Sequence, residues 1–197
     1  MKLKILLIVS SLLVFNGCFG PGDSSPAPND SNSGQPSEEL RSYDNNEIFL
    51  TFPSNWDVIQ PADFTADVPD ETLVVIRNNI KNENFTANVN VTKNELAEQT
   101  ASIDYATQII NGEKNSLLEF KEISRNRINL PVGNRTFETY LIEFEAKLNP
   151  TDPALRFIQI AGVKNSTGYV VLGATSLQEQ TSVVNSVSNT VKSFKIL

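Results

Sequence analysis

Apolar residues recur along this chain in two rhythms, one of two residues and one of three to four. Residues 47–52 (Glu-Ile-Phe-Leu-Thr-Phe) read as a strand that stops at Pro53-Ser54-Asn55, just before Trp56. Leu73, Val74, Val75 and Ile76 form a second short apolar run. Phe85, Ala87, Val89 and Val91 then alternate with polar residues, which predicts a strand with one wet face over 85–92. Over 102–118 the period changes. Ile103, Ala106, Ile110 and Leu117 recur at helical spacing, with Ser102 placed to cap the start and Gly112 weakening the interior.

The second half reads as longer strands. Residues 120–130 lead into the turn signal Pro131-Val132-Gly133-Asn134, and a partner strand follows over 136–148. The apolar phase slips in the first arm, because Ile123 falls on the odd set and Ile128 and Leu130 on the even set; a bulge near 124–127 would reconcile them. Strands over 155–163 and 169–175 flank a turn at Asn165-Ser166-Thr167-Gly168. Residues 169–174 (Tyr-Val-Val-Leu-Gly-Ala) have no polar face, so that strand needs cover on both sides. Val183, Val184, Val187 and Val191 then form one helical stripe over 178–192. Tight turns imply antiparallel pairing, and a sheet apolar on both faces needs a covering layer on each. The expected fold class is therefore α/β (α+β): a three-layer α/β/α sandwich with a central antiparallel sheet of about six or seven strands and helices on both faces.

The N-terminus follows neither rhythm. Lys2 and Lys4 precede an apolar stretch over 5–15, too short for the roughly 20 residues a helix needs to span a bilayer core. It ends at Asn16-Gly17-Cys18, the only cysteine of the chain. This arrangement resembles a bacterial lipobox, with Phe15 and Asn16 departing from the preferred residues. The resemblance implies a signal peptide over 1–17, cut before Cys18, and acylation of the Cys18 thiol. The competing readings are an ordinary secretory signal with an incidental cysteine and a buried free thiol. Two or more acyl chains make a stable anchor, at about 0.8 kcal/mol per buried CH₂. Residues 18–39 are rich in Ser, Pro, Gly, Asn and Asp, which predicts a solvated tether with a reach on the order of 25 Å. A single domain then occupies 40–197.

Composition removes much chemistry. The chain of 197 residues has no His and one Cys, which excludes imidazole bases, His metal ligands, intrachain disulfides and Cys-rich zinc sites. Its net charge of -7 does not suit nucleic acid, and loss of Lys2 and Lys4 with the leader would make it more acidic still. An acidic body gains little from anionic lipid, so attachment to the membrane would depend on the lipid at Cys18.

Three stretches together resemble the PsbP-like family, which includes the DcrB-type bacterial lipoproteins. They are Tyr43-Asp44-Asn45-Asn46 leading through 48–53 to Trp56, the long hairpin around Asn134-Arg135, and Tyr169-Val170-Val171-Leu172 followed by a helix closing with Val191-Lys192-Ser193-Phe194-Lys195. The resemblance implies an α/β/α sandwich that binds or assembles and does not catalyse. Some photosynthetic members bind metal through His, and without His that role does not transfer.

Each side chain that could carry chemistry also has an ordinary role open to it. Glu143 and Glu145 share a strand face, as a glycosidase pair might. Same-face neighbours lie about 6.6 Å apart, and Tyr140, Ile142 and Phe144 take the core side, so a solvated face is the preferred reading. Asp63, Asp67, Asp70 and Glu71 could attract a hard cation but match no EF-hand spacing. Lys121, Arg125, Arg127 and Arg135 form a modest basic patch. Trp56 could stack on a ligand, and core is favoured. No Gly-x-Ser-x-Gly turn or phosphate-binding loop occurs. The expectation is an extracytoplasmic lipoprotein, held on the bacterial cell membrane or outer membrane through Cys18. Its domain would be a binding module with an unidentified protein partner, no cofactor, no metal and no catalytic residues. The alternatives are a small-molecule or ion receptor and a carboxylate-dependent hydrolase.

Overall fold

The computed structural model describes residues 39–64, 68–80 and 85–197. The leader, Cys18 and all but the last residue of the expected tether lie outside the described residues. The elements are β1 (Leu40–Asp44), β2 (Ile48–Pro53), β3 (Asp57–Ile59), β4 (Thr72–Arg77), β5 (Asn88–Glu95), α1 (Ser102–Ser116), β6 (Leu118–Val132), β7 (Arg135–Lys147), β8 (Leu155–Lys164), β9 (Thr167–Ser176), α2 (Thr181–Lys192) and β10 (Lys195–Ile196). No helix among the described residues is long and apolar enough to cross a membrane.

All ten strands join one sheet in the order β1-β2-β10-β6-β7-β8-β9-β5-β4-β3. Neighbours are antiparallel except β10 and β6, which run parallel at Ile196 and Val132. The sheet curls. Glu47, which leads into β2, and Lys93 on β5 stand six places apart in strand order, yet their charged groups are 2.8 Å apart. Ile48, Leu50 and Phe52 of β2 pack in one core with Val74 and Ile76 of β4 and Val89 and Val91 of β5.

The inside of the curl holds α2. Its Val183, Val187 and Val191 belong to that same core. β-branched residues are mediocre helix formers, costing a few tenths of a kcal/mol each, whereas a buried Val contributes about 1.5 kcal/mol or more. Burial therefore sets the identity of this helix. The contact is close: a Cβ on Gly173 of β9 would lie 2.4 Å from Val187 Cγ1.

The other face of β7, β8 and β9 carries α1. Ile110 packs with Ile142, Phe144, Ala146, Leu155, Phe157 and Ala174. Phe120, Phe144 and Phe157 stack at centroid spacings of 5.1 and 4.9 Å. β9 thus buries Tyr169 and Val171 towards α2 and Val170 and Ala174 towards α1, as its unbroken apolar sequence requires.

Several expectations are corrected. Among the described residues the sheet has ten strands, not six or seven, and with two α-helices on a curled sheet it is not the three-layer sandwich anticipated. The additional strands β1, β3 and β10 have five, three and two residues, too short to show an alternation. One parallel pair interrupts the antiparallel pattern. Ser102 does not cap α1: Ala101 holds the cap position, and the Ser102 hydroxyl accepts from Val163 N at 2.9 Å. The irregularity in β6 falls between Glu122 and Ser124, slightly ahead of the expected bulge, and a second lies between Leu118 and Lys121.

Candidate functional site

Trp56 follows the turn after β2, is 3% exposed and packs in the core inside the curl. Its carbonyl accepts from the Arg41 guanidinium, and Arg41 also lies over the Phe52 ring. It is a core residue.

On β7 the side chains separate as expected: Ile142 and Phe144 are buried on the α1 side with Tyr140 packed beside them, and Glu143 and Glu145 alternate with them. Glu145 is held by Arg156 at 2.9 Å and by Lys121 at 4.0 Å. The pair reads as a charged strand face.

Asp63 lies in the 3-10 turn Pro61–Asp63, Asp70 is exposed, Glu71 is half-buried and Asp67 lies outside the described residues. Among the described residues no three His, Cys, Asp or Glu side chains gather closely enough to hold a metal ion. The basic patch resolves into pairs: Arg125 makes a two-pronged contact with Glu122 at 2.9 and 2.8 Å, and Arg127 lies 3.6 Å from Glu138. Exposed pairs of this kind contribute about 0–1 kcal/mol each. Arg135 is exposed at the start of β7.

Two polar arrangements escaped the sequence. At the seam of the curl, Glu47 accepts from Lys93 at 2.8 and 2.9 Å and from the Tyr169 hydroxyl at 3.5 Å. Burial, with the Glu47 charge adding to it, pushes the phenols of Tyr169 and Tyr43 up, although Asn45 opposes the shift at Tyr43. Each member sits in a different strand or loop, so no local spacing announces the cluster.

The second lies between α1 and β8. Glu113 points inward and accepts from Gln159 Nε2 at 2.6 Å. Burial pushes its carboxyl up to about 7, with the Gln159 hydrogen bond opposing. A signal for this pair existed: Glu113 occupies the stripe of Ala106, Ile110 and Leu117, and Gln159 interrupts an apolar run. On the same helix, burial pushes the Tyr105 hydroxyl up to about 12, with Asn94 opposing.

No family model matches the sequence, and no curated protein does. Solved structures do. The solution structure of cyanobacterial PsbP (CyanoP) from Synechocystis aligns with a TM-score of 0.55 at 13% identity, covering 85% of this chain and 98% of that one. LpqN of Mycobacterium tuberculosis, described as involved in cell envelope biogenesis, aligns with a TM-score of 0.49 at 11% identity, covering 80% of this chain and 90% of that one. The first likeness identifies a PsbP-like fold; the second is too weak to add to it.

Proposed function

We propose that this protein is a bacterial cell-envelope lipoprotein whose PsbP-like domain, over 40–197, binds or assembles with a partner and does no chemistry of its own. The observation that carries the reading is the fold, which aligns with CyanoP over nearly the whole of that protein. Fold alone does not fix function, so the side chains must agree. Two of them support the reading: Glu145 is taken up by Arg156 and Lys121, and the tryptophan that a receptor would use for stacking lies inside the core. The Cys18 site at the end of a short apolar leader supplies the anchor, and the Pro- and Ser-rich stretch over 18–39 supplies the tether.

The anchor is tested by labelling cells with a palmitate analogue. Wild type takes up label and Cys18→Ala does not; equal label in both removes the lipoprotein reading. The binding role is tested by crosslinking the anchored protein in its own membranes, where a module yields a discrete partner. Hydrolysis of a glycoside panel that is lost in Glu143→Gln and Glu145→Gln would replace the module with an enzyme.

A further inference from the structure

Glu113 on α1 and Gln159 on β8 meet with half of their hydrogen-bonding capacity used. Gln159 is 1% exposed, and its Nε2 donates to Glu113 Oε1 at 2.6 Å. The other two atoms, Glu113 Oε2 and Gln159 Oε1, are both sealed from solvent without a hydrogen-bond partner. An ionised carboxylate and an amide oxygen are both acceptors and cannot satisfy each other. A single proton on Glu113 Oε2 turns it into a donor towards Gln159 Oε1. The two planar groups can then close a cyclic acid–amide pair with no buried atom unsatisfied.

The surroundings offer the charged form little. Gln159 lies between Ile142 of β7 and Leu172 of β9 in the sheet. Beside Gln159, the residues facing α1 from β8 are Leu155, Phe157, Ala161 and Val163, none of them titratable. From β7 the titratable groups on this face are Tyr140 and the exposed Glu138. From β6 they are Glu122 and Arg125, which pair with each other while Arg125 covers the Tyr140 ring, and Arg127, which stands opposite Tyr140 and pairs with Glu138. On α1 itself Lys114 is exposed and Asp104 lies in the first turn.

We infer that Glu113 and Gln159 form a proton-operated latch between α1 and the sheet, closed while Glu113 carries its proton and released when it is lost. Ionisation leaves a buried charge beside two unpaired acceptors, and the cheapest relief is for the last turn of α1 to admit water. The direction follows from linkage. The unfolded carboxyl loses its proton near 4.5 and the folded one near 7. Between those values the folded state binds more protons, so raising the pH through that window removes stability, and above it the loss levels off.

The test is a carbon-13 titration of the glutamate side-chain carboxyls in the full chain. Glu113 is expected to titrate with a midpoint near 7; a midpoint at 5 or below overturns the latch. Glu113→Gln keeps both hydrogen bonds at every pH. From pH 5 to pH 8 the unfolding equilibrium of wild type should rise on the order of 10²-fold relative to this variant. Protection factors of the amides in the last turn of α1, which remove the intrinsic pH dependence of exchange, should fall between pH 5 and pH 7 in wild type only. Parallel pH profiles for the two proteins overturn the inference, and if Glu113→Gln fails to fold, the wild-type midpoint decides.

Discussion

The hydroxyl of Ser102 accepts a hydrogen bond from the backbone N–H of Val163, 2.9 Å away and 61 residues along the chain. The ladder between β7 and β8 ends at Leu141 and Ile160. Just beyond it, Thr139 Oγ1 donates to the Ala161 carbonyl at 2.5 Å. Two side chains thus continue the pairing where the neighbouring strand has left, and the first residue of α1 docks the helix to the sheet. Ser102→Ala leaves the Val163 N–H buried and unpaired, which costs about 1–3 kcal/mol. Denaturant unfolding gives the loss, and exchange of the Val163 amide should quicken. Unchanged exchange there would contradict the docking role.

Gly173 sets how closely α2 approaches β9. An added methyl would meet Val187 Cγ1 at 2.4 Å and Ile158 Cγ2 and Val191 Cγ2 at 3.0 Å. Gly173→Ala should lower stability by about 1–3 kcal/mol, the usual cost of overpacking. Val187→Ala added to it should recover part of that loss. A thermal-unfolding double-mutant cycle that is strictly additive would refute the clash.

The ion pair between Lys93 and Glu47 marks the seam of the curl but does not hold it shut. Both side chains are more than a third exposed, 38% and 40%. A double-mutant cycle should give about 0.2–1 kcal/mol, fading in salt. Phe52→Ala, which empties part of the shared core, should cost about 3–5 kcal/mol and be indifferent to salt. A reversed ranking in denaturant unfolding would mean that electrostatics closes the sheet.

Much of the sheet was legible because its strands are long and their partners are near in sequence. The β8–β9 hairpin announces itself through Asn165, which adopts the left-handed φ of 56° its turn needs. The stripe of valines gave α2, and Pro53 ahead of Trp56 marked the end of β2. The short strands were not legible: β10 has two residues, and its place is fixed by partners more than sixty residues away. Ser102 shows the same limit, since a serine at a helix start reads as a cap until Val163 appears beside it. Glu113 was missed for another reason. One acid on an apolar stripe looks like a boundary defect unless its amide partner is known.

β10 also fixes the order in which the molecule can be finished. β2 reaches β6 only through Lys195 and Ile196, and the Ser193 hydroxyl continues that junction by binding both the N–H and the carbonyl of Thr51. β6 to β9 are successive hairpins and can pair as they emerge, but β2, made early, lacks its ladder partner on the β6 side until residues 195–196 arrive. A chain made from its N-terminus therefore keeps its sheet open beside β2 until nearly its last residues have been added.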